Sequence, residues 1–192
     1  MSNVGKWDRW YEGLQDSPSS FRFADTITYE LGAKFLQDCA VVEDWGVGAG
    51  GFKRYRPDAI GIDGSKTPFA DKIADLVSYR SHVDGIFMRH VLEHNYGWRR
   101  ILENALHSAK KICVVLFVPF SKGETIKLAD NAPHGVDVPD LSLSKTEFNA
   151  VLNSAGVKEA RSFIYKNDSG YGQETIFYIA LDAVMGPSPS ER

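Results

Sequence analysis

The sequence predicts an α/β protein with a doubly wound, mostly parallel, seven-stranded sheet that carries an antiparallel hairpin strand at its C-terminal end. Three observations predict this fold class. Short apolar stretches alternate with helical patterns along most of the chain. A glycine cluster at residues 46–51 directly follows the first apolar stretch. Two strand-like stretches lie close together near the C-terminus, which favours a hairpin.

The size and composition of the chain fit a single globular domain. It has 192 residues, of which 43% are hydrophobic and 24% are charged, as in an ordinary folded domain. We expect one domain over residues 1–185, with helices in residues 1–38, a lid or substrate loop at residues 119–143 and a loose tail at residues 186–192. The formal net charge of −3 argues against a nucleic-acid partner, because phosphate binding usually requires a basic protein.

Three features predict a cytoplasmic protein without a membrane anchor. Cys39 and Cys113 stand in apolar surroundings, which predicts reduced core residues rather than a disulfide or a zinc site. No apolar run approaches the roughly 20 residues of a membrane span. Residues 1–13 are polar and aromatic and lack the apolar core of a secretory signal.

Two helices are predicted before the first strand, at residues 6–14 and 24–37. The first carries Trp7, Trp10 and Tyr11 on one face. These aromatic residues either pack against the sheet or cover a bound cofactor. The second helix is expected to turn four side chains inward: Ile27, Leu31, Phe35 and Leu36.

The remaining elements follow from apolar runs and turn signals. The helix after residue 143 begins with a capping box formed by Ser144 and Glu147. Residues 119–143 are expected to be a long loop, and loops of this length are often functional. Strands are predicted at residues 41–45, 59–63, 76–79 (the weakest), 85–88, 112–117, 161–165 and 175–181, and further helices at residues 98–109 and 144–156.

The glycine cluster and the acid after it are typical of a nucleotide site. Glycines permit a tight turn and a close approach of the backbone to a bulky ligand, because a Cβ would collide there. Asp63 ends the next strand, seventeen residues after Gly46, where a carboxylate can accept the hydroxyls of an adenosine ribose. The spacing Gly46-x-Gly48-x-x-Gly51 also satisfies the dinucleotide pattern, so this step alone leaves the cofactor open.

The motifs resemble those of class I methyltransferases that use S-adenosylmethionine (SAM). Asp44-x-Gly46-x-Gly48-x-Gly50 is similar to their first motif, and residues 61–63 are similar to their second. Residues 88–94 (MRHVLEH) resemble the segment after their fourth strand, and residues 148–157 resemble their last helix before the terminal hairpin. The resemblance covers residues 41–181 and implies SAM as the cofactor.

The resemblance also implies roles by position. The methionine half of SAM would lie on the glycine loop, the ribose at the second strand, the adenine near the third strand, and the sulfonium near the end of the fourth. The residues implied in that order are Asp44, Trp45, Gly46, Gly48 and Gly50; then Asp63 and Gly64; then Asp75 and Leu76; then Arg89 and His90.

Three histidines are candidates for the base that removes a proton from the methyl acceptor. Methyl transfer is an in-line displacement, so the protein aligns the two reactants, and an alcohol must also lose its proton. His90 and His94 leave the fourth strand at the catalytic edge of such a sheet. His134 lies in the long loop, together with Asp137 and Asp140 as candidate substrate contacts. A plain surface loop is the alternative for these three residues.

The segment after the fourth predicted strand has two interpretations, a metal site and a metal-free site. The segment from His90 to His94 resembles the Glu-x-x-Glu-His metal segment of ubiquinone-pathway O-methyltransferases and of small-RNA 3′-end methyltransferases. Here His90 replaces the first acid, and magnesium prefers oxygen ligands. We therefore predict no metal, with Glu93 and His94 either supporting the following helix or, for His94, acting as the base.

The sequence favours a methyltransferase that acts on a small molecule or glycan, at an oxygen atom. The compact chain and its mild acidity favour a small acceptor over RNA. Two alternatives remain from the residues alone. One is an NAD(P)-dependent oxidoreductase, which depends only on the glycine string. The other is a non-catalytic SAM-binding partner subunit.

Overall fold

The structure is a computed structural model that describes residues 3–13, 27–132, 135–166 and 172–181. The N-terminal helices are α1 (Asp8–Glu12) and α2 (Ile27–Phe35). The other elements are β1 (Val42–Trp45), a 3-10 helix (Phe52–Arg54), β2 (Ile60–Asp63), β3 (Lys72–Ile73), β4 (Val83–Arg89), α3 (Trp98–Ser108), β5 (Ala109–Leu116), β6 (Ile126–Asp130), β7 (Pro139–Ser142), α4 (Lys145–Ser154), β8 (Glu159–Lys166) and β9 (Gln173–Ala180).

Seven strands form one sheet in the order β3-β2-β1-β4-β5-β9-β8. The strands β1 to β5 pair in parallel. The strand β9 runs antiparallel to both of its neighbours, β5 and β8. This arrangement confirms the predicted mixed sheet with a C-terminal hairpin. The order reverses between β1 and β4, which is where open α/β sheets place their ligands.

Side chains from successive strand residues fill two cores, one on each face of the sheet. Ile86 and Met88 point into the core that α3 and α4 cover, whereas Phe87, between them, points into the core beneath α2. All three are fully buried. Because both faces are covered, residues 86–88 of β4 and 112–116 of β5 form continuous apolar runs, and this explains why the sequence pattern identifies these two strands.

Trp45 and its neighbour Glu43 show how a polar pair is accommodated in this core. The indole of Trp45 is fully buried among apolar residues, and its Nε1 donates to Glu43 Oε2 at 2.7 Å. Glu43 also accepts hydrogen bonds from the hydroxyls of Tyr79 (2.9 Å) and Ser81 (2.7 Å). The buried carboxylate is therefore satisfied by three donors.

The third strand was expected at residues 76–79, and that prediction is wrong. Two residues, Lys72 and Ile73, form β3 and pair with the end of β2. Residues 76–78 form a turn instead, because Asp75 Oδ1 accepts a hydrogen bond from Val77 N at 3.0 Å and Asp75 O accepts one from Tyr79 N at 2.8 Å. A carboxylate that binds the backbone two residues ahead favours a turn over a strand.

Two further expectations need correction. Of the four side chains expected to face inward from the second helix, Leu36 is fully buried and Leu31 and Phe35 pack against the same core, but Ile27 is 46% exposed. The buried positions within α2 itself are Thr28 and Gly32. A Cβ on Gly32 would lie 2.4 Å from the ring of Phe87, so the close approach of helix and sheet requires glycine. The expected loop at residues 119–143 contains β6 and β7, which pair as an antiparallel hairpin.

Some of the predicted features lie outside the residues that the structure describes, and others are confirmed by it. Leu14, residues 24–26 and the tail at 186–192 are outside. Ser144 caps α4 by accepting a hydrogen bond from Glu147 N, as predicted. Cys39 and Cys113 are free and buried. Within the described ranges, no helix has both the length and the apolar composition needed to cross a bilayer.

Candidate functional site

A cavity of about 670 Å³ opens at the edge of the sheet where the parallel strands end. Its walls come from the residues that follow β1, β2, β4 and β5, because parallel strands bring their carboxyl ends to one edge. This volume is in the range of small-molecule and cofactor sites. The predicted site residues that line it are Gly46, Gly48, Asp63, Gly64, Asp75, Leu76, Arg89, His90, His94 and Asp140.

The glycine loop forms one wall of the cavity. Gly46 has a φ of +79° and Gly48 a φ of +50°, a region that other residues rarely adopt. A Cβ on Gly46 would lie 2.5 Å from Cγ2 of Val91. The loop therefore requires glycine both for its conformation and for its close contact with the segment after β4.

Gly50, Asp44 and Trp45 do not line this cavity. Gly50 packs against the ring of Phe69, and the Trp45 indole lies in the core. The structure therefore corrects the expected contact between the Trp45 side chain and a cofactor. Asp44 is buried behind the loop, and this burial, together with the nearby charge of Asp63, raises the pKa of its carboxyl to about 8.

Asp63 at the end of β2 is bonded to the glycine loop. Its Oδ2 accepts a hydrogen bond from Gly48 N at 2.9 Å, and its Oδ1 accepts one from Ser65 N at 2.9 Å. Burial raises the pKa of this carboxyl, while the backbone N–H groups oppose that shift. The predicted acid and the predicted loop thus form one unit on the cavity wall.

Asp75 and Leu76 lie at the far side of this wall, with Ala74. Leu76 is 8% exposed and belongs to the core. The turn that replaces the expected strand brings these residues to the cavity. They supply an apolar surface beside a carboxylate.

Arg89 and His90 end β4 in a buried charged group centred on Glu174 of β9. Arg89 Nη2 lies 2.6 Å from Glu174 Oε1, and Thr28 Oγ1 donates to Glu174 Oε2 at 2.9 Å. His90 Nε2 bonds to Glu174 Oε1. His90 also has a φ of +58°, so its backbone is held in an unusual conformation by the surrounding contacts.

Burial and the Arg89 charge lower the pKa of His90 to about 3, although Glu174 opposes the shift. The pKa of Glu174 is lowered by its bond to His90 and by the charges around it, in spite of its burial. At neutral pH this group therefore contains an ionised Glu174, a charged Arg89 and a neutral His90. A neutral imidazole with so low a pKa is a weak proton acceptor.

His94 lies beside Asp140 in the cavity. His94 Nδ1 is 3.1 Å from the carbonyl oxygen of Pro139 and 3.1 Å from Asp140 Oδ1. Asn131 Nδ2 donates to Asp140 Oδ1 at 2.7 Å and fixes the carboxylate. The predicted base and one predicted substrate-loop residue are thus brought together, although 45 residues separate His94 from Pro139.

Asp137 and Glu93 do not join this arrangement. The Asp137 side chain is 94% exposed and pairs with Lys6 at 3.3 Å, and His134 lies outside the described residues. Glu93 is fully buried and accepts a hydrogen bond from Phe117 N at 2.7 Å; burial raises its pKa to about 7. In the part of the chain that the structure describes, no group of three or more His, Cys, Asp or Glu residues could hold a metal ion.

The comparisons agree with this geometry at the level of fold. No family model matches the chain, and no curated protein matches it. Solved structures do match. A SAM-dependent methyltransferase from Thermotoga maritima, described as a possible histamine N-methyltransferase, is 14% identical with a TM-score of 0.64, and the match covers 92% of this chain and 98% of that one. The chain has the class I methyltransferase fold.

Two further enzymes share this methyltransferase fold. The 1,6-didemethyltoxoflavin-N1-methyltransferase of Burkholderia thailandensis is 14% identical with a TM-score of 0.64, and the match covers 91% of this chain and 85% of that one. The magnesium protoporphyrin IX methyltransferase of Synechocystis is 15% identical with a TM-score of 0.58, and the match covers 92% of this chain and 94% of that one. Both were solved with bound S-adenosylhomocysteine.

In this example of the methyltransferase fold, the N-terminal segment covers the cavity. Trp7, Trp10 and Tyr11 line it, and α1 has no fully buried residue. Three hydrogen bonds anchor the segment: Gly5 N to Gly64 O (2.8 Å), Trp7 N to Ser65 Oγ (3.0 Å) and Asn3 Nδ2 to His94 O (2.7 Å). Two interpretations of these aromatic residues were open, and the structure supports the second: they cover the cavity rather than pack against the sheet.

Sequence analysis missed the residues that hold the predicted ones in place. Glu174 is the one charged residue of β9, and it is buried; its charge in a strand was the available signal. Thr28 and Tyr29 gave no signal, since each depends on a partner far along the chain. Asn131 lies in the segment that was expected to be a loop, and its partner Asp140 is on β7 of the hairpin that the sequence did not predict. Arg89 Nη1 donates to the Tyr29 hydroxyl at 3.0 Å.

Proposed function

We propose that the chain is a SAM-dependent methyltransferase that transfers a methyl group to a hydroxyl of a small molecule or glycan. The observation that carries the proposal is the hydrogen bond between Asp63 and Gly48 on the wall of the cavity. It places a carboxylate and a glycine-rich loop at one position. An adenosyl group linked to an amino acid requires both features at that place.

The residues of the cavity fit this cofactor. Each Asp63 oxygen accepts one backbone hydrogen bond, and a carboxylate offers about four acceptor positions, so acceptor capacity is left for ribose hydroxyls. Ala74 and Leu76 provide an apolar wall for a flat base. When bound, SAM supplies the activated methyl group.

The protein's own residues align the acceptor and exclude water. Trp7, Trp10 and Tyr11 close the cavity from the N-terminal side, which reduces competition from water. The histidines at the end of β4 face the position where an acceptor would lie. Alignment of two bound reactants is the main contribution that an enzyme makes to this reaction.

The geometry after the glycine loop supports SAM over a nicotinamide dinucleotide. The dinucleotide site places its pyrophosphate at the N-terminus of a full α-helix, whose dipole favours negative charge. Here the loop leads into a 3-10 helix of three residues, Phe52–Arg54. So short an element provides little of that dipole, and SAM carries no phosphate that would need it.

Calorimetric titration of the purified chain tests the proposal. We expect SAM and S-adenosylhomocysteine to bind, and NAD and NADP not to bind under the same conditions. An acceptor screen with fractionated cell extract should then release S-adenosylhomocysteine. Binding of NAD in place of SAM would contradict the proposal, and SAM binding without turnover of any fraction would indicate a non-catalytic SAM-binding subunit.

A further inference from the structure

We propose that His94, positioned by Asp140, is the base that takes the acceptor's proton, and that the acceptor is an aromatic hydroxyl. This inference depends on the proposed methyl transfer and specifies its acceptor. The hydrogen bonds of His94 determine which of its ring nitrogens can receive a proton.

The hydrogen bonds fix the tautomer of His94. Both partners of Nδ1, the carbonyl oxygen of Pro139 and Asp140 Oδ1, accept hydrogen bonds, so Nδ1 must carry the proton. In the neutral ring Nε2 therefore presents its lone pair. Among the described residues no hydrogen bond to His94 Nε2 is made. Since His94 lines the cavity, Nε2 is the nitrogen that can bind an acceptor hydroxyl.

Asp140 gives the ring its orientation and stabilises its charged form. A carboxylate on the far nitrogen of a histidine stabilises the imidazolium that forms when the near nitrogen takes a proton. Asn131 holds Asp140 by the bond of 2.7 Å described above, and Leu141 N donates to Glu93 O at 2.9 Å. These bonds tie β7 to the segment after β4, so the pair is preorganised.

His90 is excluded from the same role by its environment. Its Nε2 is committed to Glu174, and the same carboxylate oxygen faces Arg89 at 2.6 Å. The positive charge of Arg89 already balances Glu174, so a second positive charge on His90 would lack a partner. His90 therefore acts as a neutral hydrogen-bonding group beside the site.

The rings around His94 favour a flat aromatic acceptor. The ring centroid of Trp7 lies 5.5 Å from that of His94, and the centroid of Phe117 lies 5.3 Å from it. Trp7, Phe117 and His94 all line the cavity. The cavity wall beside His94 is therefore aromatic, and an aromatic wall favours contact with another ring.

The acidity of the acceptor points to the same class. An imidazole has a pKa of about 6.5 and a phenolic hydroxyl one of about 10, whereas water has one of about 15.7. A histidine can therefore assist the ionisation of a phenol far more readily than that of a water-like aliphatic hydroxyl. An uncharged amine attacks without losing a proton first, and so it has less need of the His94–Asp140 pair.

The proposed step combines methyl transfer with the transfer of one proton. The acceptor oxygen forms a bond to the methyl carbon, and the bond from that carbon to sulfur breaks with its electron pair remaining on sulfur. The hydroxyl proton moves to His94 Nε2. The imidazolium, paired with Asp140, later releases this proton to water, and the products are the methyl ether and S-adenosylhomocysteine.

An acceptor panel on the full chain tests the acceptor class after SAM binding has been measured by calorimetry. The panel contains 2-naphthol and catechol, benzyl alcohol and methyl glucoside, and benzylamine and aniline. Release of S-adenosylhomocysteine should be at least about tenfold faster with the aromatic hydroxyls. Faster turnover of an amine or an aliphatic hydroxyl would overturn the acceptor assignment while leaving methyl transfer intact. SAM binding without turnover of any aromatic hydroxyl would overturn it as well, and failure to bind SAM would overturn the proposed function itself.

Variants test the base on the best acceptor of the panel. His94→Gln should lower kcat by about 10²–10⁴-fold, the usual contribution of a general base, and leave SAM affinity unchanged. His107→Gln, at an exposed histidine on α3, is the matched control and should change neither. A His94→Gln enzyme with wild-type kcat would rule His94 out as the base.

A readout without turnover tests Asp140 as the positioning residue. In nitrogen-15 NMR spectra, wild-type His94 should be the Nδ1–H tautomer, and Asp140→Asn should populate the Nε2–H tautomer as well and lower kcat while SAM affinity stays unchanged. Asp130→Asn, at an exposed acid of β6, should do neither. The other titratable groups near His94 are Glu93 and His90. An unchanged tautomer of His94 in Asp140→Asn would overturn the positioning role.

Discussion

The Oδ2 atom of Asp63 accepts a hydrogen bond of 2.9 Å from the backbone N–H of Gly48. This bond joins the acid at the end of β2 to the loop at the end of β1, so neither can move without the other. The carboxylate is oriented before any ligand arrives, and preorganisation of this kind reduces the entropic cost of binding. The two strongest motifs of the sequence are thus one structural unit.

Substitution of Gly46 should cost more stability than substitution of another glycine with the same backbone conformation. Gly46 and Gly135 have φ values of +79° and +77°, and alanine in this region costs about 1–2 kcal/mol. A Cβ on Gly46 would also meet Val91 at 2.5 Å, whereas one on Gly135 meets no described atom within 4 Å. Urea unfolding should show Gly46→Ala to be less stable than Gly135→Ala by at least about 1 kcal/mol. Equal costs would contradict the close approach at Gly46.

Asp44→Asn should make the protein more stable than the wild type as the pH rises from 5 to 8. The folded carboxyl has a pKa of about 8, whereas an unfolded aspartate has one of about 3.9. Between these values the folded state binds more protons, so the free energy of unfolding falls with rising pH, by up to about 1.4 kcal/mol per pH unit for this group. The neutral asparagine removes that loss.

Urea unfolding at several pH values measures the difference between Asp44→Asn and the wild type. The comparison isolates Asp44, because every other group titrates in both proteins. Asp130→Asn, at an exposed position, should give a curve parallel to the wild type. A difference between Asp44→Asn and wild type that does not change with pH would show that Asp44 is ionised throughout.

Glu174→Gln should destabilise the fold strongly. The substitution removes the carboxylate that faces Arg89 and His90 and leaves the buried guanidinium uncompensated, which costs about 3–5 kcal/mol in comparable pairs. Glu159→Gln is the control, because Glu159 pairs with Arg161 where both side chains are about one-third exposed; its cost should be at most about 1 kcal/mol. Chemical denaturation of the two variants gives the comparison, and similar costs would contradict the buried ion pair.

A chelator should leave methyl transfer unchanged. Glu93, the acid of the metal-like segment, is fully buried and bonded to the backbone of Phe117. His94 Nδ1 is directed at Pro139 and Asp140. Activity measured before and after treatment with EDTA, with magnesium added back as the control, checks the expectation. A loss that magnesium restores would return the metal site to consideration.

The sheet and its main helices could be predicted from the sequence because their pattern is local. Residues 86–88 of β4 and 112–116 of β5 are buried on both faces and therefore form continuous apolar runs. The cap of α4 depends on two residues three positions apart, Ser144 and Glu147. Asp63 and the glycine loop follow their strands directly, so their meeting at one edge follows from the parallel order.

The parts that could not be predicted depend on long-range contacts or lack a pattern. β3 consists of two exposed residues, and every residue of β6 is exposed, so neither strand shows the alternation that identifies a half-buried strand. Glu174 lies 146 residues from its partner Thr28. The choice between His90 and His94 likewise depends on Glu174 and Asp140, whose positions only the tertiary structure gives.

The central claim is that Asp63 binds the adenosyl part of SAM, and titration calorimetry of Asp63→Asn tests it most directly. Removing a charged partner of a buried hydroxyl costs about 1.5–3 kcal/mol, so SAM should bind at least about tenfold more weakly than to the wild type. Asp58→Asn, at an exposed acid just before β2, should bind SAM like the wild type, and a thermal melt should show that Asp63→Asn is folded at the titration temperature. Unchanged SAM affinity in folded Asp63→Asn would contradict the account.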